Sequence, residues 1–248
     1  MTDTYLIAEK TIRIRSLHEA VHTYCKDYRC SVVGEADIDI IITNEDIEFE
    51  RERSDRTAAA EGRVNKNWSD GYLEELAVYR KIAERMPYFD TFLFHGSAIS
   101  VDGVGYLFTA GSGTGKSTHA ALWRELLKER AVMINDDKPL LHIGENGAVI
   151  YGTPYNGKHR LGSNVAVPLK AICVLERAKE NTITRIGKSQ VYPMLMQQSY
   201  RPKDPVSLAK TLQLIDKLSD CVSFWKLGCN ISLEAAETSF GAMSASKG

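Results

Sequence analysis

The chain has 248 residues, 44% hydrophobic and 25% charged, and its 31 Lys and Arg against 32 Asp and Glu leave a net charge of -1. That balance is ordinary for a globular protein and excludes bulk electrostatic attachment to nucleic acid or to a membrane surface, so neither is expected as a partner. Five scattered cysteines (Cys25, Cys30, Cys173, Cys221, Cys229) make no CxxC pair, and the N-terminal "MTDTYLIAEKTIRIRS" holds no apolar run long enough for a signal peptide or a span; reduced thiols and a cytoplasmic location are expected.

Residues 5–15 alternate and predict a strand. "ADIDIIIT" (36–43) and "IEFERER" (47–53) predict two more, joined by a turn at Asn44-Glu45-Asp46, and 54–70 is polar enough to read as a loop. "YLEELAVYRKIAERM" (72–86) repeats apolar residues at helical spacing until Pro87. Residues 1–88 are therefore expected to form a small β-rich extension with a connector helix, and 89–248 the main domain.

That domain opens with "FLFHGSAISV" and "VGYLFTA" around Asp102-Gly103, a strong hairpin signal. A helix is expected over "STHAALWRELLKER", then strands at "AVMINDD", "KPLLHI", "AVIYGTP" and "LKAICVLERA". Helices follow at "SQVYPMLMQQS", "VSLAKTLQLIDKL" and "SLEAAETSFGAM", with "VSFWKLG" a strand between the last two. The class is α/β, and the hairpins rule out a wholly parallel sheet.

The segment "AGSGTGKST" between strand and helix carries the chemistry. Ala110, four residues, then Gly115, Lys116 and Ser117 fit the relaxed phosphate-loop pattern. Glycines at 111, 113 and 115 let the backbone curl with its N–H groups inward, and the following helix N-terminus favours an anion. Gly111, Ser112, Gly113, Thr114, Gly115, Lys116, Ser117 and Thr118 are thus the expected nucleotide-binding residues. Lys116 would reach the β- and γ-phosphates and Ser117 would ligate Mg²⁺. A Gly-rich turn with a chance Gly-Lys-Ser is the bland alternative, and the flanking strand and helix argue against it. The loop says nucleotide; hydrolases, motors and switches share it with kinases.

With Asp102-Gly103 at the centre of a two-residue turn, Val101 faces Val104, Ile99 faces Tyr106 and His95 faces Ala110. This register places His95 beside the phosphates, where an imidazole can orient a carboxylate or neutralise charge; a His satisfied locally at a strand end is the competing reading. "AVMINDD" then delivers Asp136 and Asp137, which can serve as metal ligands and as a base if the strand ends there, or can be a solvated turn. In "GTPYNGKHRLG", Lys158 and Arg160 are possible cations for the transferring group, against a plain basic loop; Arg201 is a weaker one. "YPMLMQQ" reads as a packed helix, and Trp123 and Trp225 as core.

"HGSAI", "AGSGTGKST" and "INDD", in this order and spacing, resemble the HPr serine kinase/phosphorylase and ATP-dependent phosphoenolpyruvate carboxykinase superfamily over roughly residues 90–180. The chain is also similar to small members of that superfamily with a "GTPxxGK" loop, here "GTPYNGK". The resemblance implies a mixed-sheet P-loop core of that type, ATP and Mg²⁺ as cofactors, and Asp136 as the base for a serine hydroxyl, with His95 orienting it. It implies a kinase acting on a hydroxyl-bearing acceptor: a serine of a peptide or protein, or a small metabolite. A carboxykinase-type enzyme acting on a carboxylated acid is the alternative within the superfamily, although the chain has no room for that enzyme's substrate domain. A nucleotide-binding regulatory protein with little catalysis is the alternative outside it.

Overall fold

In the computed structural model, which describes residues 1–31, 34–62, 64, 66–157 and 160–245, the chain first doubles back at Ala8 and Glu9. Both have left-handed backbone angles (φ 49° and 60°), so the segment read as one strand is a hairpin of β1 (Thr2–Ile7) and β2 (Lys10–Arg15). No Gly, Pro or Asn announced that turn. β3 (Ile38–Ile41) adds in parallel to β2. A short α1 (Ala20–Tyr24) precedes it.

The second correction lies just beyond. Residues 47–53 are not a strand, and 54–60 are not a loop: both belong to α2 (Asn44–Ala60). Thr43 and Asp46 start this helix as a capping box, the Thr43 N–H donating to Asp46 Oδ2 at 3.0 Å. The helix shows little apolar periodicity because it docks through charge. Its buried residues are Ile47 and Glu50; Glu50 accepts from Arg80 of α3 (Asp70–Arg85) at 2.6 Å. α3 supplies the apolar face that packs this unit, with Leu73, Ala77 and Ile82 fully buried. Helices of 5, 17 and 16 residues outweigh strands of 6, 6 and 4, so the N-terminal part is an α+β body and not a β-rich one.

The chain divides into compact units Met1–Arg85 and Met86–Gly248. In the second, a turn of 3₁₀ helix (Met86–Phe89) leads to β4 (Thr91–Leu93), β5 (Ser97–Val101) and β6 (Val104–Thr109). Then come α4 (Lys116–Leu127), β7 (Ala131–Asn135), β8 (Leu140–Gly144), β9 (Gly147–Tyr151) and β10 (Ala166–Arg177). β11 (Thr182–Arg185), α5 (Lys188–Gln198), α6 (Pro205–Cys221), β12 (Ser223–Cys229) and α7 (Leu233–Ala245) complete it. β11 is an addition: four mostly exposed residues on the rim carry no apolar signal.

The sheet order is β4-β8-β9-β10-β6-β5-β7, and β12 also pairs with β10 and carries β11. The start of β10 runs antiparallel to β9, while its remainder runs parallel to β6 and β12. The sheet is mixed, as the hairpins required. Successive side chains of a strand face opposite ways, and the core divides accordingly. Leu107, Ile172 and Val174 pack with Val191, Leu195, Leu214 and Leu218 of α5 and α6. Phe108, Cys173 and Leu175 pack with Trp123 and Leu127 of α4 and Ala236 and Met243 of α7. The unit is thus an α/β body with helices on both faces.

Candidate functional site

The β5–β6 hairpin has the expected register, Val101 opposite Val104 and Ile99 opposite Tyr106. Its turn residues Asp102 and Gly103 both have positive φ (51° and 81°), as a two-residue hairpin turn requires. At the far end β6 stops at Thr109, Ala110 is buried, and after the five residues 111–115 α4 begins at Lys116. Gly113 (φ 74°) and Gly115 (φ 119°) take angles that L side chains rarely adopt. A Cβ at Gly113 would meet nothing within 4 Å, so the glycine serves the backbone angle and the space before the loop is open.

Lys116 folds back over this loop, its Nζ donating to the Ala110 carbonyl at 3.2 Å. Burial pulls its pKa below the ordinary lysine value, while the negative charges of Asp137 and, less strongly, Asp136 act to raise it. The loop lysine and the acid pair therefore share one electrostatic site. Arg177, at the carboxyl end of β10, donates to the Gly113 carbonyl. Ser117 and Thr118 lie exposed on the first turn of α4, and Gly111 and Ser112 are exposed in the loop.

The acid pair sits where β7 ends. His95 does not extend β5 to face Ala110, because that strand begins at Ser97. Its N–H donates instead to the Gln198 carbonyl at 2.8 Å, and its carbonyl accepts from Thr109 Oγ1 at 3.2 Å. Neighbouring amides tie this segment to the acid turn, Gly96 N–H to Asp137 O at 3.1 Å and Phe94 N–H to Pro139 O at 3.1 Å. The imidazole Nδ1 lies 2.8 Å from Gln198 Oε1 and Nε2 lies 3.4 Å from Asp137 Oδ1. His95 thus pairs with Asp137, where the sequence reading gave it Asp136. Asp136 Oδ1 accepts from Ser97 Oγ at 2.7 Å. Burial alone would raise the Asp137 pKa; the hydrogen bond from His95 and the charge of Lys138 outweigh it and hold the carboxyl below its ordinary range.

The 152–157 stretch packs against the same turn: a Cβ on Gly157 would lie 3.2 Å from Asp136 Oδ2. Arg160 is exposed with a positive φ of 48°, and Lys158 lies outside the described residues. Arg201 is exposed beyond α5. Trp123 is fully buried and Trp225 partly so.

Four further residues belong to the site. Gln198 and Ser97 reach it through long-range packing that no local pattern announces. Asn135 carried a signal, since an Asn before an acidic turn commonly accepts from the amide two residues on, and here it does, from Asp137 N–H at 2.8 Å. Arg177 comes to the site because Val174 of β10 pairs with Thr109 at the root of the loop, a parallel pairing that no local pattern announces.

No helix among the described residues is long and apolar enough to cross a membrane. No curated protein matches the chain. A solved structure, the Hpr(Ser) kinase/phosphatase from Coxiella burnetii, is similar over 50% of this chain and 94% of its own, at 11% identity and a TM-score of 0.29; at that score the likeness establishes no shared fold. A family model described as SynChlorMet cassette protein ScmC matches residues 66–203. That match takes in more than half of the chain, from the start of α3 past the loop, the acid turn and Gln198, and the chain belongs to the ScmC family.

Proposed function

We propose that this protein is a kinase, a magnesium- and ATP-dependent phosphotransferase acting on a hydroxyl group of a peptide, protein or small metabolite. One observation carries the reading: Lys116, at the end of a glycine loop that opens a helix, lies under the influence of two carboxylates presented by the neighbouring acid turn.

The donor set fits a magnesium nucleotide. Mg²⁺ in phosphoryl-transfer sites takes one or two carboxylates, a hydroxyl and the phosphates themselves. Ser117 with Asp137 and Asp136 provides that set, and no larger cluster of ligating side chains occurs among the described residues. When bound, the magnesium nucleotide supplies the phosphoryl group and neutralises part of its charge.

The chain's own residues divide the remaining work. The 111–115 amides and the α4 N-terminus hold phosphate oxygens. Lys116 leaves the Ala110 carbonyl to meet them. Asp137 is the stronger of the two charges on Lys116 and is paired with His95, which suits the metal side of the site. Asp136, held by Ser97, faces Gly157 and suits the acceptor side, where it would take the hydroxyl proton as that oxygen bonds to the γ-phosphorus and the bond from that phosphorus to the departing ADP oxygen breaks. Arg160, and Lys158 beyond the described residues, are the proposed cations over the transferring group.

Calorimetry of ATP with and without Mg²⁺, on the wild type and on Lys116→Ala, tests the reading. Binding that weakens sharply in the variant is expected. A wild type that binds no nucleotide, or a variant that binds and turns over ATP like the wild type, refutes it. Incubation with γ-labelled ATP and a native extract then identifies the acceptor.

A further inference from the structure

Asn135 has a fully buried side chain at the end of β7, and both ends of its amide are in use. Oδ1 accepts from Asp137 N–H at 2.8 Å and Lys138 N–H at 2.6 Å. Nδ2 faces Thr153 Oγ1 at 2.9 Å, Thr153 O at 3.3 Å and Tyr155 O at 3.4 Å. Only this orientation works: two N–H donors face the oxygen and two carbonyls face the nitrogen, so a flipped amide would set like against like.

Thr153, also fully buried, closes the circuit. Its hydroxyl donates to the Lys138 carbonyl at 2.9 Å and accepts from Tyr155 N–H at 3.3 Å. The end of the same loop is fastened beside it, Ser163 N–H to Ile134 O at 3.1 Å. Two side chains therefore join the acid turn 136–138 to the 152–157 stretch, in a buried setting where each unmade bond is expensive.

We infer that Asn135 and Thr153 are positioning residues: a buried amide–hydroxyl pin that sets the direction of Asp136 and Asp137 and locks the 152–157 loop against them. Neither touches nucleotide or acceptor. The pin acts through the acid turn, and the inference rests on the kinase reading of that turn. It separates two parts of the site. The 111–118 segment holds phosphate by its own backbone and needs no pin. The metal and acceptor side, carried by the two acids and the loop, does.

The test uses Thr153→Val, which keeps the shape and removes the hydroxyl, with Thr153→Ser as the conservative restoration and Asn135→Ala as a second probe that removes both ends of the amide without adding charge. Three quantities are measured on the full chain: the folded fraction by circular dichroism, affinity for ATP without metal, and the Mg²⁺ dependence of ATP binding and turnover. In Thr153→Val and Asn135→Ala, ATP affinity without metal should stay near wild type. The Mg²⁺ requirement should rise and turnover should fall about 10²-fold, the scale of a catalytic group displaced by about 1 Å. Thr153→Ser should recover most of the turnover. Folded variants with wild-type Mg²⁺ dependence and turnover overturn the inference and leave the kinase reading standing. Losses in all three quantities in parallel, tracking the unfolded fraction, also overturn it, since the pin would then serve the fold alone. A wild type that binds no ATP overturns the kinase reading, and the inference with it.

Discussion

His119 lies one turn into α4 with its ring buried against Phe108. Ser239 of α7 fixes its tautomer. The Ser239 hydroxyl donates to the Ala235 carbonyl at 2.9 Å and accepts from Trp123 Nε1 at 2.8 Å. Its remaining lone pair faces His119 Nε2 at 3.0 Å, so that nitrogen carries the proton. Nδ1 is buried with no partner, and a second proton would place an unsolvated charge there. Burial accordingly pushes the His119 pKa down to about 4 from the ordinary 6.5. The folded-state value lies below the unfolded one, so the unfolded chain takes up the proton first. Stability is complete above about pH 6.5, declines as pH falls, and is lost in full below about pH 4; the total is about 3 kcal/mol at 1.36 kcal/mol per pH unit, of which about 2 kcal/mol falls between pH 7.5 and 5. His119→Gln cannot titrate and keeps a donor for Ser239. Urea unfolding of the wild type and the variant across that range should show their free-energy difference changing by about 2 kcal/mol, the variant gaining relative to the wild type in acid. The carboxylates and other histidines are common to both proteins and cancel. Parallel pH profiles, or an imidazole resonance of His119 titrating between pH 6 and 7, would refute the reasoning.

Asp136→Asn should keep magnesium–ATP binding and lose turnover by about 10²–10⁴-fold, the contribution of a general base, whereas Asp137→Asn should mainly raise the Mg²⁺ requirement; the opposite pattern in steady-state assays means the two roles are exchanged. Gly152→Ala should destabilise the C-terminal unit by at least about 1–3 kcal/mol, because its Cβ would lie 1.8 Å from the Ser163 carbonyl oxygen and 2.9 Å from that of Ile134; an unchanged urea midpoint contradicts the packing described.

What the sequence disclosed and what it hid follow from the range of the interactions. The Asp102-Gly103 turn has a local cause, positive φ at two adjacent residues, and its register was readable to the residue pair. The glycine loop and the helices of the C-terminal unit were legible for the same reason. α2 was misread because it docks through Glu50 and Asp46 to Arg80 and Lys81, and ion pairs leave no apolar stripe. The partner of His95 was misassigned because Gln198, from the end of α5, takes its backbone and its Nδ1. "YPMLMQQ" does read as a packed helix, but nothing in it shows that its last glutamine turns toward a histidine from β5's leading edge. Thr153 stands in the "GTPYNGK" motif, yet the motif does not show its role, which exists only once the 152–157 stretch lies on the acid turn.

The position of β10 has a consequence for how the protein is made. Ile172 meets Leu107 on one side and Phe224 on the other, so the central strand waits for partners far behind and far ahead of it. Contacts of such separation close slowly. During synthesis β12 and α7 emerge well after the strands and helix they cover, and α7 brings Ser239 and Met243 to Trp123. Until then the helix that opens at Lys116 has only the sheet, through Tyr106 and Phe108, to cover Trp123. A nascent chain would own its glycine loop before α7 could brace the helix behind it, and in that interval the α7-facing side of Trp123 is a surface a chaperone would meet.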